Sequence, residues 1–120
     1  MREILFKAKN MGDGKWVEGY YLYYDNEHII IETTEKGILY HKIDFTSLCQ
    51  YTGVADNNGN KIWENDIVHI GDEKIRYIVE WYDNGFMGKA IRANNWIGLS
   101  YWKIPEIMGN KFDNPELLSA

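Results

Sequence analysis

The sequence contains one cysteine, three arginines, no uninterrupted apolar run of membrane-spanning length and no long amphipathic helical period. Each shortage removes a class of protein. Cys49 stands alone, so no internal disulfide can form and nothing points to an oxidising compartment. No stretch approaches the ~20 apolar residues that cross a bilayer as a helix. The opening MREILFKAKN scatters charge and lacks the apolar run of a signal peptide. A cytoplasmic protein without a membrane partner is therefore expected. The basic side chains number 13 against 18 acidic ones, for a net charge of −5. Residues 1–54 hold six basic and eight acidic side chains and residues 55–120 hold seven and ten, so there is neither a basic arm nor an acidic tail. Phosphate neutralisation supplies most of the affinity of a duplex-binding protein. Sequence-nonspecific nucleic-acid binding is thus disfavoured, and a local basic patch stays open.

Reaction motifs are missing as well. Cys49 sits between Leu48 and Gln50 in a strand-like run, with no glycine-rich elbow, helix start or neighbouring histidine to lower its pKa. It reads as a small buried hydrophobe. His28, His41 and His69 lie far apart, with no HxH, HExxH or CxxC spacing to start a metal site. The glycines are dispersed through turns and form no phosphate-cradling loop ahead of a helix. Pairs such as Asp72-Glu73 and Glu64/Asp66 are what 18 carboxylates produce by chance. No enzyme, metal or cofactor is expected.

Aromatic residues are abundant at 15%, with nine Tyr and five Trp, more than a small core requires. The hydrophobic period is two almost throughout, which predicts strands. They are expected at Arg2–Ala8, Trp16–Tyr24, His28–Thr33, Ile38–Ile43, Ser47–Val54, Lys61–Ile70, Lys74–Trp81, Phe86–Ile91, Leu99–Lys103 and Ile104–Phe112. Turn clusters rich in Gly, Asn and Asp separate them. Asn58-Gly59 predicts a type I′ hairpin turn, and a second tight turn is expected around Glu64-Asn65-Asp66. Asp44–Leu48 has room for one short helix. Asn114-Pro115-Glu116-Leu117-Leu118 predicts a helical turn with Asn114 as its cap. A boundary between two subdomains, if present, falls near residues 45–52.

The stretch Gln50-Tyr51-Thr52-Gly53-Val54-Ala55-Asp56-Asn57-Asn58-Gly59-Asn60-Lys61-Ile62-Trp63-Glu64-Asn65-Asp66-Ile67-Val68 resembles the signature of the YopX protein family, small proteins encoded largely by phages and prophages. The opening MREILFKA and the closing IMGNKFDNPELL resemble that family's end blocks. Asn65 departs from the glycine common there, and Asn is the next-best residue for a left-handed backbone. The resemblance implies a mainly β fold, with a small β-rich N-terminal region over residues 1–50 and an SH3-type barrel-like part over residues 51–120. It brings no established biochemical activity and no assigned residues. Within the signature, Tyr51, Ile62, Trp63, Ile67 and Val68 are expected to fill core. Gly53, Asn58 and Gly59 are expected to shape turns, and Asp66 to bond its own turn's amides.

Two aromatic clusters are the candidate interaction surface. In Gly19–Tyr24, Tyr20, Leu22 and Tyr24 share one strand face and Tyr21 and Tyr23 the other; one face has room to be core, the second then being a tyrosine-bearing surface or covered by another element. Tyr21 and Tyr23, together with Trp96 and Trp102, are candidates for contact with a protein partner or a second copy of the chain. The same C-terminal aromatics, flanked by Lys89, Arg92 and Lys103, offer an alternative as a single-stranded nucleic-acid surface. The competing reading places the aromatics in a core that lacks other large residues.

Overall fold

The computed structural model describes residues 4–119. Among the described residues, ten strands in two antiparallel sheets account for most of the fold. It divides into two compact units, Met1–Tyr51 and Thr52–Ala120. The fold is mainly β, as the period-two pattern predicts. Arg2 and Glu3, expected in the first strand, lie outside the described residues.

In the first unit, β1 (Phe6–Asn10), β2 (Trp16–Tyr24), β3 (Glu27–Thr34) and the long β4 (Gly37–Ala55), whose residues after Tyr51 belong to the second unit, form a meander that curls into a partial ring. β1 closes it by pairing on one side with Trp16–Gly19 of β2 and on the other with β4 at Ile43, Asp44, Cys49 and Gln50. Ala8, Ile30 and Ile43 are buried inside, with Phe6, Val17, Tyr21 and Leu48 packed around them. Gly19 is required here, because a Cβ would stand 2.0 Å from the Ile31 carbonyl oxygen. The β2–β3 turn holds Asp25 and Asn26 at φ 53° and 62°, a type I′ geometry that Asn and Asp tolerate.

No helix forms at Asp44–Leu48. The pairing of β1 with β4 slips there, and residues 45–48 bulge from the ladder. Local hydrogen bonds replace the lost pairs. The Asp44 carboxylate accepts from the amide and hydroxyl of Thr46, at 3.0 and 2.7 Å. The Ser47 hydroxyl donates to the Asp44 carbonyl and accepts from the Lys9 amide.

In the second unit, β5 (Lys61–Trp63) pairs with β4. β6 (Asp66–His69), β7 (Tyr77–Tyr82), β8 (Gly85–Ala90), β9 (Trp96–Gly98) and β10 (Glu106–Asn110) form a five-stranded sheet in the order β10-β6-β7-β8-β9. Ile62, Val68, Tyr77, Val79, Phe86, Ala90 and Trp102 make its core, with Ile62 of β5 clustered among the residues of the sheet, whose order stays open where a barrel is expected. Four details differ from the sequence expectation. β7 starts only at Tyr77, because Asp72 accepts the amides of Lys74 and Ile75 and holds the preceding residues in a turn. Leu99–Tyr101 is a 3₁₀ turn instead of a strand, and the strand precedes it at β9. The Asn58-Gly59 step is not a type I′ turn, since only Gly59 has positive φ. The C-terminal helical turn is present as a 3₁₀ turn over Pro115–Leu118, but Asn114 accepts the Asn110 amide instead of capping it.

A carboxylate explains the Asn58-Gly59 loop. Asp56 is 8% exposed, and its Oδ1 accepts the amides of Asn58 and Asn60 at 2.9 and 2.8 Å. Its Oδ2 accepts the Ile107 amide on β10 at 3.2 Å, 51 residues along the chain. Asp66 works similarly at the next turn, accepting the Trp63 amide at 2.8 Å while Asn65 takes φ 73°. Burial alone would raise the Asp56 pKa, but the amides of Asn60, Ile107 and Asn58 outweigh it and hold the carboxyl below its ordinary range. A group so depressed stabilises the fold above the unfolded value near ~3.9, and that contribution is lost as pH falls through the lower folded value. Asp56→Asn, which turns one acceptor into a donor facing an amide, should cost about 1–3 kcal/mol at neutral pH. It should also flatten the acid limb below about pH 4 in urea unfolding followed across pH. An unchanged acid limb would contradict the role given to this carboxylate.

Candidate interaction surface

Beyond the part covered by β1, strands β2, β3 and β4 continue as a three-stranded ribbon. Register fixes its two faces. Tyr20 pairs with Ile31, and Ile31 with Tyr40; Leu22 pairs with Ile29, and Ile29 with Lys42; Thr33 pairs with Ile38. These residues, with Tyr24, form the outer face. Tyr20, Tyr24 and Tyr40 are 63%, 69% and 68% exposed, Ile38 is 55% exposed and Leu22 41%. The charge on this face lies at its rim, where Lys42 Nζ and Glu27 Oε1 pair at 3.1 Å.

The inner face turns Ile30 into the ring core and carries Tyr21, Tyr23, His28 and His41. The bulge in β4 brings Phe45 over His28, with ring centroids 4.1 Å apart and stacked. Tyr21 hydroxyl and His28 Nδ1 share a short hydrogen bond. Tyr23 packs on His28 at 4.7 Å. Burial, then the neighbouring Tyr23, raises the Tyr21 pKa. His41 is held by Glu32 at 2.9 Å and Asn10 at 3.1 Å. His69, in the other unit, is buried 3.6 Å from Glu106. Each histidine thus has its own local partners, and among the described residues no three His, Cys, Asp or Glu side chains converge as a metal site. Cys49 is 1% exposed and donates to the Ser47 carbonyl.

The sequence candidates separate on this geometry. Tyr23 is exposed, Tyr21 is half-buried in the aromatic cluster, and Trp96 is half-buried on the second unit's sheet. Trp102 is corrected: it is 8% exposed and belongs to the core, so it cannot form part of a surface. Gly88 makes the space for it, since a Cβ there would lie 2.8 Å from Trp102 Cζ2 and 3.2 Å from Tyr77 Cβ. Neither face of the Tyr20–Tyr24 ribbon becomes a full core face. The exposed Ile38 and Tyr40 were readable as a β-branched and aromatic strand, but not as surface.

A model of the YopX protein family matches residues 5–119, nearly the whole chain. The chain belongs to the YopX protein family. Among solved structures, protein EF1440 from Enterococcus faecalis is similar in fold. Its crystal structure superposes with a TM-score of 0.64 at 20% identity, covering 98% of this chain and 99% of that one. None of the curated proteins matches. In this YopX chain the signature residues are structural. Ile62, Trp63, Ile67 and Val68 are buried, and Asp56 and Asp66 tie turns. Among the described residues no helix is long and apolar enough to cross a membrane. Gly88→Ala should lower stability by about 1–3 kcal/mol by forcing the indole of Trp102 aside, with a changed tryptophan emission spectrum. Wild-type stability would show that Trp102 is not held as described.

Proposed function

We propose that this YopX-family chain is a non-catalytic interaction module, in a phage or prophage setting and in the host cytoplasm, that associates with a second copy of itself. The observation that carries the reading is the outer face of the β2–β3–β4 ribbon. Three tyrosines about two-thirds exposed, with Leu22 and Ile38 near half, present roughly 400–500 Å² of mostly apolar surface. A patch of this size matches the largest on a typical monomer, and such patches are often functional. With Ile29, Ile31 and the strand edges added, it approaches the roughly 800 Å² per partner of a standard interface.

The chemistry favours a like partner. Glu27 and Lys42 neutralise each other, so the face offers no net charge for an oppositely charged partner to read. A two-fold packing of tyrosine-rich face against tyrosine-rich face is self-complementary. Tyr and Ile give such a contact large area at low side-chain entropy cost. The outer edge of β2 from Tyr20 to Tyr24 has no strand beside it among the described residues, since β1 reaches only to Gly19.

Light scattering across protein concentration should give a dimer mass for the wild type. Tyr20→Glu with Tyr40→Glu should give a monomer with an unchanged circular dichroism spectrum, because both positions are exposed. A wild-type chain monomeric at all concentrations would overturn the proposal. So would a dimer that persists in the double variant.

A further inference from the structure

The second unit carries a different surface on the outward face of β7, β8 and β9. Register places Ile78 beside Lys89, and Lys89 beside Trp96, on one side of the sheet. Tyr82 follows on the same side of β7 and stacks on Trp96, with centroids 4.3 Å apart and rings 18° from parallel. Lys89 Nζ stands 5.5 Å from the Trp96 ring centre. Tyr82 is 48% exposed, so the stacked pair presents an aromatic edge to solvent instead of filling core.

The larger of two hollows reaches this stack at Lys89, and the two hollows meet at their common residues Ile91 and Arg92. One, of about 200 Å³, is lined in part by Lys74, Arg76 and Arg92; the other, of about 480 Å³, by Lys89, Arg92 and Lys111. Five of the seven basic residues after position 54 therefore line one connected region. None of the five is ion-paired with a carboxylate among the described residues. Glu80, in the larger hollow, is the acidic side chain lining it. Arg76 is fixed by donating to the carbonyls of Glu73 and Leu117. Arg92 sits in a left-handed backbone at φ 77°, unusual for a residue other than Gly, Asn or Asp. The turn around it is closed by the Ala90 amide bonding the Asn95 carbonyl at 2.9 Å.

In a chain of net charge −5, unpaired cations gathered in one place indicate an anionic ligand. The aromatic pair beside them narrows its chemistry. Phosphates on a flexible backbone satisfy the cations, and unstacked bases offer flat faces to Trp96 and Tyr82. We propose that this face binds a short run of single-stranded nucleic acid, with bases on Tyr82 and Trp96 and phosphates at Lys89, Arg92 and Lys111. Trp102 and Lys103, which the sequence groups with this alternative, fall outside it: Trp102 is core and Lys103 lines neither hollow. Tyr82, Arg76 and Lys111 enter instead. The site lies in a different unit from the ribbon face and does not depend on self-association.

The test uses the intact chain and a fluorescein-labelled oligothymidine of about ten nucleotides, within the ~4–16 that a small barrel covers. Anisotropy should report binding at low salt. With about three or four phosphates neutralised, the logarithm of the binding constant should fall with the logarithm of salt at a slope of about −2 to −3. Lys89→Glu with Arg92→Glu, both exposed positions, should weaken binding by at least about tenfold. Trp96→Ala should also weaken it by about tenfold, and Trp96→Phe should restore most of the loss. Failure to bind at low salt would overturn the proposal, as would affinity that survives the charge reversal. Equal affinity for a duplex, or for inorganic tripolyphosphate with Trp96→Ala without effect, would show a general anion site and equally overturn it. Circular dichroism of the charge-reversal variant ensures that loss of binding is not loss of fold.

Discussion

A β-strand points its amides and carbonyls sideways, and each must find a neighbouring strand, a side chain or water. The first unit is arranged around that constraint. β1 meets it fully by lying between β2 and β4, which closes the sheet on itself and encloses Ala8, Ile30 and Ile43. Closure by a five-residue strand reaches only part of the way along its longer neighbours. The remaining length of β2, β3 and β4 stands out as a ribbon with an apolar outer face. The same geometry that builds the small core therefore produces the surface proposed for self-association.

The second unit uses buried carboxylates as ties where strands are too short to hold themselves. Asp56 gathers two amides of its own loop and one of β10, and Asp66 closes the turn between β5 and β6. Both lie within the stretch that marks the family, so the signature encodes the fold. Its residues are spent on core and turns, which leaves the outward sheet face free to carry Tyr82, Trp96 and the basic residues around them.

Much of the architecture was legible because strand alternation is a local property. Trp16–Tyr24 has the bounds its pattern predicts, and Asn65 takes the left-handed backbone expected where the family has glycine. What was not legible depends on distant partners. Asp44–Leu48 has a helix-compatible composition, but the ladder with β1 holds it as a bulge. Asn58-Gly59 has the dipeptide of a two-residue turn, but the carboxylate of Asp56 imposes a larger loop. Trp102 beside Lys103 looks like surface until Gly88 opens room for the indole in the core. Period two separates the faces of Tyr20–Tyr24 without saying which is covered, and the answer lay in the short reach of β1. The basic hollow joins residues from position 74 to position 118, a grouping only the sheet order creates.

The most direct test of the account is where, and not only whether, copies of the chain meet. Amide and side-chain NMR spectra of the labelled protein, recorded over a dilution series, locate the contact residue by residue. The account predicts concentration-dependent shifts at Tyr20, Leu22, Tyr24, Ile31, Ile38 and Tyr40, with core residues such as Val79 and Trp102 unmoved. Shifts absent from the ribbon, or gathered on another surface of the chain, would contradict it.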